Sequence, residues 1–329
     1  MTSSATPIAM RNNSYSMGDA TPVGATVVVG VFVLLVALSG VVANTCVLIS
    51  FIADKKLRKV HHVYTANQSA AELALSLLVT PLAFLLPTCT GGWIQPEALC
   101  TGWLCVAATV LLASHLAFVL VSRDRCLTAF YHTDAQRDKE ALRKVLRYVG
   151  ATWLLSAALI TSFVVAWHHL AVVELPRVTC RPEFLGDAAF MYVVTLTEAG
   201  VVGAAVTHYT RRTFQNVVAR QKTFADSNIS DDADRWLTRD KTMTKALVVG
   251  ASCLGALWLP LLVMMLISPL CGDCVPPLAY LLALSLYNVR STVAPLCFAR
   301  EDERLKLNVK KLLCFWRRSE VAPLLQVAP

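Results

Sequence analysis

The sequence predicts an all-α membrane protein, a bundle of seven transmembrane helices with a short amphipathic helix after the seventh. Three observations predict it. Seven apolar stretches are each about long enough to cross a bilayer as a helix, which takes roughly 20 residues. The 329 residues are 56% hydrophobic and only 16% charged, with a mean hydropathy of +0.55; soluble domains carry about 25% charged residues. The basic residues fall almost entirely on one side of the alternating loops.

The spans read as 24–52, 63–88, 98–128, 145–168, 188–213, 243–269 and 277–298. Helices are required because backbone polar groups in lipid must bond within the segment. The loops at 53–62, 129–144 and 214–242 are basic, whereas those at 89–97 and 270–276 have no Lys or Arg. Of the 30 Lys and Arg residues, only Arg11, Arg177, Arg181 and Arg290 fall away from the inner ends and inner loops. This asymmetry orients the chain with its N-terminus outside and its C-terminus inside. It also accounts for the net charge of +8 without nucleic acid, through contact with anionic inner-leaflet lipid. The expected organisation is an outer tail at 1–22, the bundle at 23–299, an amphipathic inner helix at 300–316 and an inner tail at 317–329.

Residues 1–22 are polar and lack the apolar core of a cleavable leader, so the first span is expected to act as its own signal anchor. Asn12 begins a glycosylation sequon on the outer tail; the matches at Asn67 and Asn228 fall in a span and an inner loop, where modification is not expected. From Glu301 to Trp316, read as a short amphipathic helix, Leu305, Leu307, Val309, Leu312, Leu313 and Phe315 supply apolar contacts, while Arg304, Lys306, Lys310 and Lys311 supply charge. Such a helix lies along the inner membrane surface. Cys314 near its end is a palmitoylation candidate, with a plain thiol as the alternative.

Eleven cysteines sort by compartment. Cys100 and Cys180 both face the oxidising side, which favours a disulfide pinning the long outer loop over the bundle. Cys271 and Cys274 share the last outer loop; their spacing permits a tight ring without proving one. Cys89 is left over. Cys46, Cys105, Cys126, Cys253 and Cys297 read as small buried apolar residues. No metal centre, cofactor site, nucleophile–base pair or phosphate loop is expected, which argues against an enzyme.

Asp124 and Arg125 end the third span, and the sixth begins near Asp240. An Arg at one inner helix end can pair with a carboxylate at another, hold the inner face shut and release it when the sixth helix swings out. The plainer alternative is a solvated helix end. Within the sixth span, Pro260 removes a backbone donor and bends the helix, and Trp258 lies beside that bend either as a moving part or as packing. Pro295 is expected to bend the seventh span similarly, with Phe298 below it and Tyr209 low in the fifth. Glu72, Glu198 and Arg290 fall well inside spans. A mid-membrane charge costs about 2.5–3.5 kcal/mol, so such residues pair or line wet cavities.

In this order and spacing, Asn44, Glu72 with Pro81, Cys100, Asp124-Arg125-Cys126, Trp153, Tyr209, Trp258-Leu259-Pro260, and Pro295 with Phe298 resemble a rhodopsin-like G-protein-coupled receptor over nearly the whole chain. The resemblance implies a cell-surface receptor that passes an extracellular signal to heterotrimeric G proteins. It also implies that Glu72 and Arg290 lie close together with Ser114 and Ser291 nearby, giving a buried ion pair; the alternative is a protonated Glu72 with Arg290 snorkelling into water. The chain departs from the family pattern in five places. Relatives usually carry Asp at Glu72, Asn at Arg290, Asn at Ala294, Tyr at Phe298 and Pro at Val201. Several of these positions build a sodium pocket in relatives, and Arg290 would bring its own cation there, so no regulation by sodium is expected.

Ala107 stands where amine receptors carry an Asp, and the seventh span has no lysine for a retinal Schiff base. The stretch from Trp167-His168-His169 through Val178-Thr179-Cys180, and the helix after the seventh span, are similar to galanin-type peptide receptors and a neighbouring orphan branch. That likeness favours a peptide ligand, with Tyr192, Met264, Met265 and Tyr280 either lining the pocket or serving as packing. The competing functions are a non-signalling receptor-like decoy or scaffold, kept open by the seventh-span departures, and a transporter, disfavoured by the lack of inverted repeats.

Overall fold

The structure is a computed structural model that describes residues 23–57, 60–82, 97–131, 139–170, 188–225, 231–271, 275, 277–301 and 303–314. Its helices are α1 (Val23–Ala53), α2 (Val60–Ala74), α3 (Glu97–Tyr131), α4 (Lys139–Leu170), α5 (Ala188–Ala225), α6 (Asp231–Cys271), α7 (Pro277–Asn288), α8 (Arg290–Glu301) and α9 (Glu303–Leu313). A π-helical stretch, Leu75–Val79, continues α2. Among the described residues, four segments are long and apolar enough to cross a membrane on that basis alone: Val27–Ala53, Cys105–Thr128, Glu140–Val165 and Lys241–Ile267. Span two is described only as far as Leu82, and span seven is divided into two twelve-residue helices.

Apolar composition decides which faces turn outward. On α1 and α4, Val28, Leu35, Ile52, Leu154 and Leu155 are exposed to the surroundings of the bundle. In water such a surface would be untenable; beside acyl chains it costs nothing. α3 is central, packing against α2, α4 and α5 and touching α6, while α5 and α6 lie side by side. One buried cluster joins Tyr64, Phe118, Val121, Val145, Ala294 and Phe298 across the middle of the bundle. A second, from Leu261, Ala283 and Tyr287, takes in Trp258, Met264 and Met265.

α5 and α6 extend well past the expected inner ends of their spans, to Ala225 and back to Asp231. α6 runs unbroken through Pro260. The seventh span differs more from expectation. Its interruption lies at Val289, six residues before Pro295, which itself sits inside α8. At the break, Val289 N–H donates to the Leu286 carbonyl at 3.1 Å, while the Val289 carbonyl accepts from Thr292 N at 3.0 Å and Val293 N at 3.1 Å. The effect of Pro295 is chemical: lacking an N–H, it leaves the Ser291 carbonyl one turn earlier without its helical donor. Asn44 supplies the replacement, its Nδ2 donating at 2.8 Å to Ser291 O and at 2.8 Å to Gly40 O. Gly40 permits this close approach, because a Cβ there would overlap the Ser76 hydroxyl and stand 3.3 Å from Ser291 Cβ.

α9 is amphipathic as the pattern requires. Leu305 and Val309 are buried against Cys46, Val47, Phe51, Leu57 and Ala299, with Leu312 packed alongside. Leu307 and Leu313 instead face outward, so one apolar stripe grips α1 and the other is turned away from it. Asn308 Nδ2 donates to Asp54 Oδ2 at 3.3 Å, tying α9 to the end of α1.

Candidate functional site

The polar centre of the bundle begins at Glu72, which has no exposed surface. Its Oε1 accepts hydrogen bonds from Ser114 Oγ at 2.6 Å and Gln68 Nε2 at 2.8 Å, and its Oε2 accepts from Ser291 Oγ at 2.6 Å. Arg290, only 3% exposed, places Nη1 3.4 Å from Glu72 Oε1. The four residues expected to cluster are thus in one place, and Gln68, one turn from Glu72 on α2, adds a donor that sequence reasoning passed over. Three short hydrogen bonds and a nearby guanidinium together offset the burial of a carboxylate that would be prohibitive alone.

The cluster continues across the bundle. The Arg290 guanidinium carbon lies 4.4 Å from the Tyr287 ring centroid, a cation–π contact. The Tyr287 hydroxyl is 2.7 Å from His115 Nε2. On its other side His115 Nδ1 contacts Glu198 Oε1 in an ion-pair geometry. His115 also packs against Trp258, ring centroids 5.6 Å apart. One chain of contacts therefore runs Glu72–Arg290–Tyr287–His115–Glu198 and touches α2, α3, α5, α6 and both halves of the seventh span. The role of His115 was missed from the sequence. The available signal was that it is the lone ionisable side chain in the third span between Cys105 and Arg123.

Toward the C-terminal end of α3, Arg125 is 5% exposed and its Nη2 donates to Thr65 Oγ1 of α2 at 3.5 Å. Asp240 lies on α6, and its side chain, with the expected Arg125–Asp240 contact, lies outside the described residues. Asp124 is half-buried, its carbonyl accepting from Thr128 Oγ1 at 2.9 Å. The neighbouring Arg123 stacks over Tyr148 of α4, 5.1 Å from its ring centroid. Phe298 is buried 6.4 Å from the Phe118 ring, and Tyr209 is half-buried edge-on to His208 at 5.4 Å. Trp153 Nε1 donates to Asn67 Oδ1 at 2.9 Å, so that sequon match is an internal structural residue. Among the described residues no group of His, Cys, Asp and Glu has metal-holding geometry.

A match to the family model described as the 7 transmembrane receptor (rhodopsin family) covers residues 43–298. The chain belongs to that family. This rhodopsin-family receptor is 25% identical over 174 residues to the muscarinic acetylcholine receptor gar-3 of Caenorhabditis elegans, covering 53% of this chain and 28% of that protein. It is 22% identical over 228 residues to the muscarinic acetylcholine receptor M5 of Rattus norvegicus, covering 69% and 43%. With the octopamine receptor of Bombyx mori it shares 25% over 168 residues, 51% and 35%. The receptor spans less than half the length of these relatives.

Beyond Trp258 toward the C-terminal end of α6, Tyr192 of α5 donates its hydroxyl to the Leu266 carbonyl at 3.0 Å, and Thr195 Oγ1 lies 3.9 Å from Met265 Sδ. Tyr192 and Thr195 of α5 thus reach α6 at Leu266 and Met265, while Met264 and Met265 pack on the cluster of Leu261, Ala283 and Tyr287. The side chain of Tyr280 lies outside the described set, as do those of Cys100 and Cys271 and the whole of Asn12, Cys180 and Cys274. Cys314 is exposed just past α9, its backbone N–H bonded to Lys310 O at 2.9 Å.

Proposed function

We propose that this family member works at the plasma membrane with its N-terminus outside, converting occupancy of an outer pocket into an inner face open to a heterotrimeric G protein. The observation that carries the reading is the position of His115. It bridges Glu198 of α5 and Tyr287 of α7 while its ring abuts Trp258 of α6, so displacement of Trp258 from above disturbs a charged tie between helices. In relatives of ordinary pattern Asn stands where this receptor carries the charged Arg290. The network acts as a latch, and ligand shifts the equilibrium only by its differential affinity for the unlatched state. Arg125 at the inner end is the contact released to the G protein, with Asp124 and Asp240 as its regulators. Pro260, Pro295, Tyr209 and Phe298 form the levers between.

The named relatives are receptors for acetylcholine and octopamine. Ala107 on α3 offers this receptor no carboxylate for such an amine, which favours a peptide ligand held by Tyr192, Met264, Met265 and Tyr280. The outer tail 1–22, the bundle 23–299, the inner helix 300–316 and the tail 317–329 remain its parts, with Cys100–Cys180 bracing the outer loop, Cys271 and Cys274 beside it, Asn12 glycosylated and Cys314 acylated. The test is a peptide screen in cells reporting several G-protein classes, with Arg125→Ala beside the wild type. A response lost in Arg125→Ala supports the reading; a wild type silent with peptides and amines, and identical to Arg125→Ala in basal signalling, contradicts it and favours the decoy.

A further inference from the structure

The neighbours of His115 fix the place of one hydrogen and leave a second free to come and go. Nδ1 contacts Oε1 of Glu198, and Nε2 lies 2.7 Å from the Tyr287 hydroxyl. An ionised carboxylate only accepts hydrogen bonds, and so does an imidazole nitrogen without its hydrogen. Two acceptors cannot share a contact, so a hydrogen lies between Nδ1 and Oε1. Tyr287 is different, because a phenol hydroxyl both donates and accepts. It donates to a bare Nε2 and accepts from Nε2–H, so this nitrogen keeps its partner in either state.

The two states differ in charge. With Nε2 bare, the ring is neutral and its tie to Glu198 is one hydrogen bond. With Nε2–H present, the same contact gains the attraction of two unit charges in a medium poorer than water. Among the described residues the other charged groups nearby are few. Arg290 lies against the Tyr287 ring, its guanidinium carbon 4.4 Å from the centroid, and is itself held 3.4 Å from Glu72. α6 presents the uncharged ring of Trp258, 5.6 Å from the imidazole. Arg211 is 13 residues along α5 from Glu198, about 20 Å at helical rise. His115 is 8% exposed and lines a cavity between α5 and α6 together with Arg211, so the ring is not sealed from protons.

We propose that His115 is a proton-binding site that sets how tightly α3 holds α5: with the second proton bound the tie is an ion pair, and without it a single hydrogen bond. This rests on the latch reading above, in which that tie opposes opening. The sign follows from linkage. The closed arrangement binds the second proton better than an open one in which His115 and Glu198 have parted, so raising the pH favours opening.

The test uses purified full-length receptor in micelles, without ligand and with one pH on both faces, carrying nitroxides at Leu146 and Thr242. From about pH 5 to about pH 9, which brackets ordinary histidine titration, the longer-distance population should grow about fivefold or more, the low end of ordinary coupling between two sites. His115→Asn sets an amide N–H toward Glu198 where Nδ1–H stood but cannot titrate, and its distances should not change with pH. Glu198→Gln has no ion pair to lose and should show the longer-distance population across the whole range. If His115→Asn does not fold, Glu198→Gln alone carries the comparison. Wild-type distances that ignore pH while Glu198→Gln is opened, or a pH response that persists in either variant, would overturn the proton site and leave the latch standing. Glu198→Gln distances that match the wild type at every pH would overturn the latch and the proton site with it.

Discussion

The Tyr287 hydroxyl lies 2.7 Å from Nε2 of His115, and the same side chain presents its ring to Arg290 at 4.4 Å. Tyr287 therefore joins two side-chain pairs that would otherwise be separate: Glu72 with Arg290, and Glu198 with His115. It does so through two chemically distinct ends, a polar tip and an aromatic face.

That division makes the junction separable by mutation. Tyr287→Phe keeps the ring under Arg290 but removes the partner of His115 Nε2. Leaving that buried nitrogen unpaired should cost about 1–3 kcal/mol, seen as a lower melting temperature of purified receptor. Tyr287→Leu, which removes both contacts, should cost more; equal losses would show that the ring contact is idle.

The Glu72–Arg290 pair predicts strong non-additivity. Glu72→Gln or Arg290→Gln alone strands a buried charge and should destabilise by about 3–5 kcal/mol, read as lost surface expression. The double variant removes both charges and should express better than either single one. A double variant no better than the singles would mean that the two charges are not coupled.

How much of this was legible in the sequence depended on which contacts are local and which need helix rotation. Seven spans and the amphipathic end follow from composition and the spacing of residues such as Leu305 and Val309. The meeting of Glu72, Ser114, Arg290 and Ser291 was legible because unusual residue types occupy positions matched in a known pattern. The His115–Glu198 contact was not, since the partners are 83 residues apart and meet only because α3 and α5 present those faces to each other. The break at Val289 was hidden for another reason: neither Asn288 nor Val289 is a helix breaker by type, and Pro295 drew the expected bend to itself. The outward turn of Leu307 and Leu313 became visible only once α9 was packed against α1.

Sodium provides a third prediction. The Arg290 guanidinium stands beside the Glu72 carboxylate at 3.4 Å and supplies the cation there. Basal and stimulated signalling should be unchanged when sodium replaces choline at constant ionic strength; a sodium-dependent shift in agonist affinity would contradict this placement.

Gly40 predicts a steric effect. Gly40→Ala drives a methyl into Ser76 and toward Ser291, and overpacking of this kind costs about 1–3 kcal/mol. Gly40→Ala/Ser76→Ala relieves the clash and should recover part of the thermal stability. No recovery would place the cost in the Asn44 cradle instead.

The latch itself is tested most directly by distance. Nitroxides placed at the exposed positions Leu146 of α4 and Thr242 of α6 report the separation of these helices by double electron–electron resonance. With no ligand present, Glu198→Gln, which weakens the grip on His115, should add a longer-distance population absent from the wild type and raise basal G-protein activation in parallel. Superimposable distance distributions and equal basal activity in the two proteins would contradict the account.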